Sequence, residues 1–270
     1  MKKQLIFLYT LLFVFLAVIG YACYTFLTIE TEPEVPVEYQ EYKKFQEDVA
    51  VKDDDDSDHL VHLDFDLEGL LNTNPDFDSW LMIPDTYISF PVVRTSDNFY
   101  YLKHEFNKNY NIFGCLFFDV ESVPGSENRV IHGHNMGNNR QEMFSTLVQF
   151  QDQEYADEHK YAYLSSDPKL AADMYQLYAV VNFDLTNNPG FDYAKASFET
   201  EADKTDFINY LKERSIYETD FMPEDDLLIL STCNRQYGAY NRLLICLGKI
   251  EAKAVLASNE IVPVSSENPA

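Results

Sequence analysis

A cysteine at the end of an apolar run is the strongest candidate for chemistry in this sequence. Residues 227–230 are aliphatic, and Ser231, Thr232 and Cys233 follow them directly. A buried strand that ends in this way brings the thiol to the rim of a sheet, where a substrate can reach it. Because the thiolate is the nucleophile, Cys233 requires a partner that polarises it. The hypothesis therefore needs a base and a cation at the same rim.

An arginine opens the next apolar run. Arg242 stands nine positions after Cys233, and residues 243–247 are again apolar. Two such runs joined by the polar loop 234–241 predict antiparallel strands, so Arg242 returns to the rim of Cys233. A guanidinium offers several fixed donors that suit a carbonyl oxygen as it develops negative charge. The pair indicates the nucleophile and the charge-stabilising group of a cysteine enzyme.

Two histidines are the best candidates for the base. Among the six histidines of the chain, His132 and His134 close an apolar strand, with Gly133 between them. Strand alternation puts both imidazoles on one face of a sheet. Either imidazole can act as a general base. A two-histidine metal site is the rival interpretation, although no third ligand stands near in the sequence.

Short strands separated by turns must position these residues, and their spacing favours an all-β barrel or sandwich. Acidic residues around Thr200 mark the start of an amphipathic helix over 198–217. Shorter helices are predicted at 63–71 and 143–150. The remaining predicted strands cover residues 80–84, 88–93, 112–119, 129–135, 161–164 and 173–181.

Composition limits the possible functions. A chain of 270 residues with 46% hydrophobic and 15% aromatic residues holds one domain of roughly 200 residues with appendages. The 45 acidic and 20 basic residues give a net charge of −25, which argues against a nucleic-acid partner because such a protein needs a basic patch. The cysteines are too few for a disulfide framework, and Cys115 and Cys246 are expected to be buried small hydrophobes.

The N-terminal region predicts an address outside the cytoplasm. Lys2 and Lys3 precede an apolar run at 5–27, which as a helix spans about 34 Å. The positive-inside rule places the N-terminus in the cytoplasm and the body outside. A cleaved signal peptide is the alternative. The predicted organisation is a cytoplasmic tip at 1–4, a transmembrane helix at 5–27, an acidic linker at 28–61, a catalytic domain at 62–252 and a tail at 253–270.

Several motifs together resemble the sortases, which are membrane-anchored cysteine transpeptidases of Gram-positive surfaces. The strand ending at 133–136 (Gly-His-Asn-Met), the strand ending at 230–233 (Leu-Ser-Thr-Cys) and Arg242 carry the resemblance. Shorter fragments at 80–86, 90–93, 97–102 and 117–119 follow in the family's order. The resemblance extends over about residues 62–250. The predicted helix at 198–217 and the helical segment before Trp80 resemble class B.

The resemblance implies a mainly β fold, a closed barrel of about eight strands with a helix between two late strands. It also implies roles for individual residues. Cys233 is the expected nucleophile, His134 the general acid and base, and Arg242 the group that stabilises the oxyanion, with help from a backbone N–H at Asn234. No cofactor or metal is expected. The expected substrate-binding residues are Asn98, Tyr101, Ser231, Thr232 and Asn234.

The partners implied by the resemblance are secreted proteins with a C-terminal sorting signal. The enzyme is expected to cleave the signal after Thr through a Cys233 thioester and to pass the acyl group to an amine of a cell-wall precursor. A pilin amine is the alternative acceptor. Two further classes stay open, a cysteine hydrolase and a non-catalytic adhesin. Arg242 argues against the hydrolase, because papain-like enzymes have an asparagine in the corresponding role. The expected location is the cell membrane, with a single span and the catalytic domain outside.

Overall fold

The structure is a computed structural model, and it describes residues 50–53, 60–137, 140–234, 238 and 240–251. Within these residues the fold is mainly β. The strands of its barrel are largely buried, with some half-buried positions, as expected for short barrel strands. The strands of the whole fold are β1 (Ala50–Asp53), β2 (Val61–Asp64), β3 (Phe77–Met82), β4 (Ser89–Val93), β5 (Leu116–Phe118), β6 (Asn128–His132), β7 (Tyr161–Ser165), β8 (Asp173–Asp184), β9 (Leu227–Cys233) and β10 (Asn241–Ile250).

Eight of these strands form a closed barrel in the order β10-β8-β7-β3-β4-β5-β6-β9. Closure removes the sheet edges that would otherwise present unpaired backbone groups. Strand β9 lies between β6, to which it is parallel, and β10, to which it is antiparallel. The prediction of a mainly β, closed eight-stranded barrel is therefore confirmed. Because β9 pairs with both β6 and β10, it lies between the two other segments that carry candidate residues.

Helices cover the outside of the barrel and connect its strands. The helix predicted between two late strands is α3 (Glu201–Lys212). It begins after Thr200, whose hydroxyl accepts from Asp203 N at 3.2 Å. It buries Phe207 and Leu211 in a core cluster shared with β8. The helices are α1 (Leu67–Thr73), α2 (Gln153–Glu158) and α3 (Glu201–Lys212), and two 3-10 helices cover Tyr100–Leu102 and Ser145–Gln151.

Two segments differ from the sequence expectation. The helix predicted at 63–71 begins only at Leu67, because the Asp66 carboxylate caps it by accepting from Gly69 N at 2.9 Å. The preceding residues form β2, which pairs with β1 in a separate two-stranded sheet. Strand β1 lies within 28–61, the segment predicted to be a linker.

The predicted membrane anchor at 5–27 and the predicted tail at 253–270 lie outside the described residues. Within the part of the chain that the structure describes, no helix combines the length and apolar character that crossing a membrane requires.

Candidate active site

The hairpin of β9 and β10 brings Cys233 and Arg242 together. They are direct Cα partners in the antiparallel register, so their side chains point to the same face with Cβ atoms about 5 Å apart. Cys233 is partly exposed and is in no disulfide, whereas Cys115 and Cys246 are buried. The thiol and the guanidinium thus share one rim of the barrel, as the loop between the two apolar runs predicts.

The parallel pairing of β6 with β9 decides which histidine stands beside the thiol. The register ends with His132 opposite Ser231. Continuing this register by two residues along each chain aligns His134 with Cys233. Three hydrogen bonds hold these extensions together: Gly133 N to Ser231 O at 3.2 Å, Thr232 Oγ1 to Gly133 O at 2.7 Å and Asn135 Nδ2 to Cys233 O at 3.1 Å.

Gly133 is required between the two histidines because its position faces the barrel interior. A Cβ built on Gly133 would lie 2.4 Å from Leu116 Cδ2 and 2.6 Å from Phe144 Cδ2. Any larger residue would push the end of β6 away from the core. The absence of a side chain at this position lets His132 and His134 lie close against the barrel with both imidazoles outward.

A carbonyl group fixes the tautomer of His134. The Nε2 atom lies 2.7 Å from Leu102 O, and since a carbonyl oxygen can only accept, Nε2 carries a hydrogen. Nδ1 is therefore the nitrogen left to take up or release a proton. The residue is half-buried, so its ring is held in one orientation at the rim without being sealed from a substrate.

His132 is bound to a carboxylate instead. Its Nε2 donates to Asp119 Oδ2 at 2.8 Å, and its ring packs on Phe117. Asp119 also accepts from Asn98 Nδ2 at 3.0 Å and from Glu121 N at 3.0 Å. The strand register therefore aligns His134, and not His132, with Cys233. The His132 imidazole is instead hydrogen-bonded to Asp119, the residue that follows β5.

Burial by itself would raise the pKa of Asp119, but hydrogen bonds from His132 and Glu121 N, the charge of His132 and the Asn98 amide outweigh it. The pKa of the Asp119 carboxyl is therefore held below its ordinary value. A carboxyl with a lowered folded pKa stabilises the protein above its unfolded pKa, and this contribution is lost as the pH falls through the folded value.

We accordingly expect Asp119→Asn to flatten the acid side of the stability profile. The wild-type free energy of unfolding should fall below about pH 4, the ordinary carboxyl range, more steeply than that of the variant. Urea unfolding at several pH values between 3 and 7 measures this difference. Parallel acid profiles for the two proteins would show that Asp119 is not the group responsible.

His132→Ala should keep much of the activity while destabilising the fold. The variant removes a hydrogen bond to the Asp119 carboxylate, a loss of about 1.5–3 kcal/mol for a hydrogen bond to a charged group, but His134 keeps its contact with Leu102. Steady-state kinetics together with urea unfolding measure both effects. His134→Ala is the matched comparison, and equal losses of activity in the two variants would contradict the assignment of His134 as the base.

Two of the residues expected to bind substrate are engaged within the protein. Tyr101 is fully buried, and its hydroxyl donates to Asp76 Oδ2 at 2.7 Å and accepts from Asn74 Nδ2 at 2.8 Å. Burial, opposed by the Asn74 hydrogen bond and reinforced by Asp76, raises the pKa of Tyr101. Asn98 bridges Asp119 and Val120 N. The structure thus gives Tyr101 a role in the core and makes Asn98 part of the Asp119 network, and their expected contacts with a peptide stay a prediction.

Ser231 and Thr232 are each only 2% exposed and face opposite sides of β9. The Thr232 hydroxyl fastens β9 to Gly133, which is a structural role. The Ser231 hydroxyl, on the face of Cys233, lies 3.3 Å from the hydroxyl of Tyr193. Burial and the negative charge of Asp119 raise the pKa of Tyr193. The Ser231 hydrogen bond and the positive charge of Arg242 lower it, but the net effect is a raised pKa. Tyr193 therefore remains a neutral hydroxyl beside Ser231.

The Asn234 backbone N–H is hydrogen-bonded within the protein. It donates to Asn241 O at 3.0 Å and closes the base of the β9–β10 turn. The Asn234 side chain is buried and donates to Asn182 Oδ1 at 2.6 Å. Asn234 thus has a structural role in the turn, and its expected contacts with an oxyanion and with substrate stay a prediction.

Sequence reasoning missed several residues that the fold brings to the site. Asn135 follows His134 directly, and its proximity in the motif was a usable signal. Asp119 ends an apolar strand, as Cys233 does, which is a weaker signal of the same kind. Tyr193 and the Leu102 carbonyl had no signal, because they lie in connections whose place against β9 depends on the fold. In the described part of the chain, no group of three or more His, Cys, Asp or Glu side chains could hold a metal ion.

Comparison with known proteins finds the same class repeatedly. Sortase B of Staphylococcus aureus is 25% identical over 254 residues, which covers 93% of this chain and 98% of the relative. The structure of Clostridium perfringens sortase B has a TM-score of 0.61 and 25% identity, covering 68% of this chain and all of that one. A S. aureus sortase B–substrate complex shares the fold, with a TM-score of 0.61, 23% identity and coverage of 68% and 84%. No family model matches the chain.

The sequence similarity extends over nearly the whole chain, and the barrel that it shares with solved sortases carries the thiol, the imidazole and the guanidinium at one rim. The chain is therefore similar to class B sortases along nearly its whole length, and these findings together support a class B-like, sortase-type cysteine transpeptidase.

Proposed function

We propose that this protein is anchored in the cell membrane and cleaves the C-terminal sorting signal of secreted proteins after Thr, transferring the acyl group to an amine of a cell-wall precursor. One observation carries the proposal: the strand registers bring Cys233, His134 and Arg242 level on one face of the barrel. A S. aureus sortase B with the same fold is known as a substrate complex, which supports a substrate-binding role for this fold.

In the first half-reaction, the Cys233 thiolate attacks the carbonyl carbon of the threonine in the sorting signal. The guanidinium of Arg242 stabilises the negative charge that develops on the carbonyl oxygen. His134, as imidazolium, gives its Nδ1 proton to the leaving amine, because its Nε2 hydrogen is held by Leu102 O. The C–N bond breaks, and the acyl group remains on Cys233 as a thioester.

In the second half-reaction, the acceptor amine attacks the thioester carbonyl carbon. The neutral His134 takes up the proton that the amine loses, the C–S bond breaks and Cys233 leaves as a thiolate. The new amide joins the secreted protein to the acceptor. The imidazole thus returns to its protonated form, and no proton is gained or lost over the full cycle.

The proposed location rests on the N-terminal sequence. Lys2 and Lys3 precede the apolar run at 5–27, and the acidic segment that follows favours the outer side of a membrane for the body. Protease treatment of intact cells tests the orientation. Digestion of the body without cell lysis supports it, and complete protection of the body, with a cytosolic control protein also intact, contradicts it.

A single reaction tests the proposed chemistry. The purified full-length chain is incubated with a library of sorting-signal peptides and with an oligoglycine, a lysine side-chain amine or water as acceptor. We expect a Cys233 thioester by mass spectrometry and an amine-linked product. Product from the lysine amine alone would favour the pilin-polymerising alternative. Product from water alone would favour a hydrolase, and a Cys233 that no peptide acylates would reject both enzymatic functions.

A further inference from the structure

Three amides, of which one is buried and two are half-buried, hold the base of the turn that carries Cys233 and Arg242. Asn234 Nδ2 donates to Asn182 Oδ1 at 2.6 Å and to Gln151 Oε1 at 3.3 Å. Asn182 Nδ2 donates to the same Gln151 oxygen at 3.3 Å. These residues, the amide cluster, come from three separate parts of the chain and take no part in the chemistry described above.

The amide cluster is tightly specified. Asn234 is 1% exposed, and both of its amide hydrogens have an acceptor in the cluster. A buried amide that loses its hydrogen-bond partner still bears the full cost of desolvation. Such a cluster therefore favours the one backbone arrangement in which every amide has a partner. Replacing an acceptor with an apolar group of similar size would therefore release Asn234 from its present position.

The position of the cluster couples it to all three candidate catalytic residues. Asn234 follows Cys233, and its N–H bonds to the carbonyl of Asn241, the residue before Arg242. Asn182 lies on β8 directly beside β10, as the partner of Leu243. Gln151 ends the 3-10 helix Ser145–Gln151, which follows the segment anchored to the His134 carbonyl by Phe144 N at 2.9 Å.

We propose that Asn182 and Gln151 are positioning residues, which act through Asn234 to set the spacing of the Cys233 thiol, the Arg242 guanidinium and the His134 imidazole. Neither residue touches the reacting atoms. The inference rests on the proposed transpeptidase function, but the geometry it concerns can also be measured through the reactivity of the thiol alone.

Asn182→Leu is the main test, because leucine has nearly the shape of asparagine but accepts no hydrogen bond. We expect kcat to fall by about 10- to 100-fold with KM changed by less than about threefold, since a displacement of about 1 Å costs rate more than binding. Asn182→Asp keeps the oxygen that accepts from Asn234 Nδ2 at 2.6 Å, the shorter of the two bonds that Asn234 donates within the cluster. That variant should stay within about fivefold of wild type, because the acceptor is retained.

A control variant separates positioning from stability. Asp66→Ala removes the cap of α1, and the neighbouring Phe65 ring packs on Trp80 of β3, which lies four strands from β9 in either direction around the barrel. It should lower the melting temperature without changing kcat. If Asn182→Leu does not fold, Gln151→Met, which removes the acceptor shared by both asparagines, provides the same test at a half-buried position.

The second readout is the pH profile of Cys233 alkylation by iodoacetamide, followed on the peptide that contains Cys233. It needs no peptide substrate, so it tests the cluster even if no sorting signal is cleaved. We expect Asn182→Leu and Gln151→Met to shift this profile, and Asn182→Asp and Asp66→Ala to leave it unchanged. Apolar variants with a lower melting temperature but unchanged kcat and profile would overturn the proposal. A wild type that reacts with iodoacetamide but with no peptide would reject the transpeptidase function while leaving the positioning role measurable.

Discussion

Cys233→Ala should abolish both the thioester and the amine-linked product, with a loss of about 10⁴-fold or more, as is usual when a covalent nucleophile is removed. Of the cysteines that the structure describes, Cys115 and Cys246 are buried and cannot replace it. The fold should remain, because Cys233 is the last residue of β9 and is partly exposed. Product formation and urea unfolding, measured on the same preparation, check the two expectations.

Cys115→Ala is the matched control for the loss of a thiol. Cys115 is 2% exposed, so its removal leaves a small cavity and should lower the free energy of unfolding by about 1 kcal/mol while the activity is kept. Cys233→Ser separates nucleophilicity from shape, and it should be nearly as inactive as Cys233→Ala. Product at more than one hundredth of the wild-type rate from either Cys233 variant would exclude Cys233 as the nucleophile.

Arg242→Ala should lower kcat by about 10²–10³-fold, the usual effect of removing one oxyanion donor. The expected loss is large because the Asn234 N–H, the nearest backbone donor after the nucleophile, is already bonded to Asn241 O. Arg242→Lys should recover only part of the rate, since an ammonium lacks the fixed, planar set of donors. Single-turnover acylation of Cys233 measures the step in which the charge develops.

Lys249→Ala provides the comparison for a cation on the same strand. Lys249 lies near the far end of β10 and pairs with Asp173 at 2.9 Å on a partly exposed surface, where an ion pair contributes about 0–1 kcal/mol to stability. Its removal should leave the acylation rate unchanged. If Arg242→Ala acylates within about tenfold of wild type, the oxyanion must be stabilised by other donors, and the role assigned to Arg242 would be wrong.

The positions of the strands along the chain and the residue types at their ends could be predicted from the sequence, because both depend on local patterns. Apolar runs of strand length that stop at Cys233 and begin at Arg242 predict an antiparallel pair, and β9 and β10 are such a pair. The acidic start near Thr200 marks α3 for the same reason, since a cap acts on the next turn of its own helix. Alternation likewise placed His132 and His134 on one face.

Local patterns could not distinguish between partners that lie far apart in the chain. Tyr101 and Asn98 stand in a segment whose motif suggests the groove, yet only packing shows that the Tyr101 hydroxyl is bonded to Asp76 and Asn74 in the core. A motif records which residues are near in sequence. Whether a side chain points into a cleft or into the core depends on the elements that cover it, and these come from elsewhere in the chain.

By itself, then, the sequence pattern determined the mainly β class, the Cys233–Arg242 hairpin and the pair of histidines, because each follows from periodicity or from a short turn. The closed barrel, as opposed to a sandwich, was implied by the resemblance to sortases. Only the tertiary structure decided that His134 is level with Cys233, that Asp119 holds His132 and that the Asn234 N–H closes a turn. The physical reason is register: β6 and β9 pair in parallel across a long connection, and the core packing around Gly133 selects one alignment of their ends. A shift of that alignment would bring a different residue to the thiol without changing any local pattern.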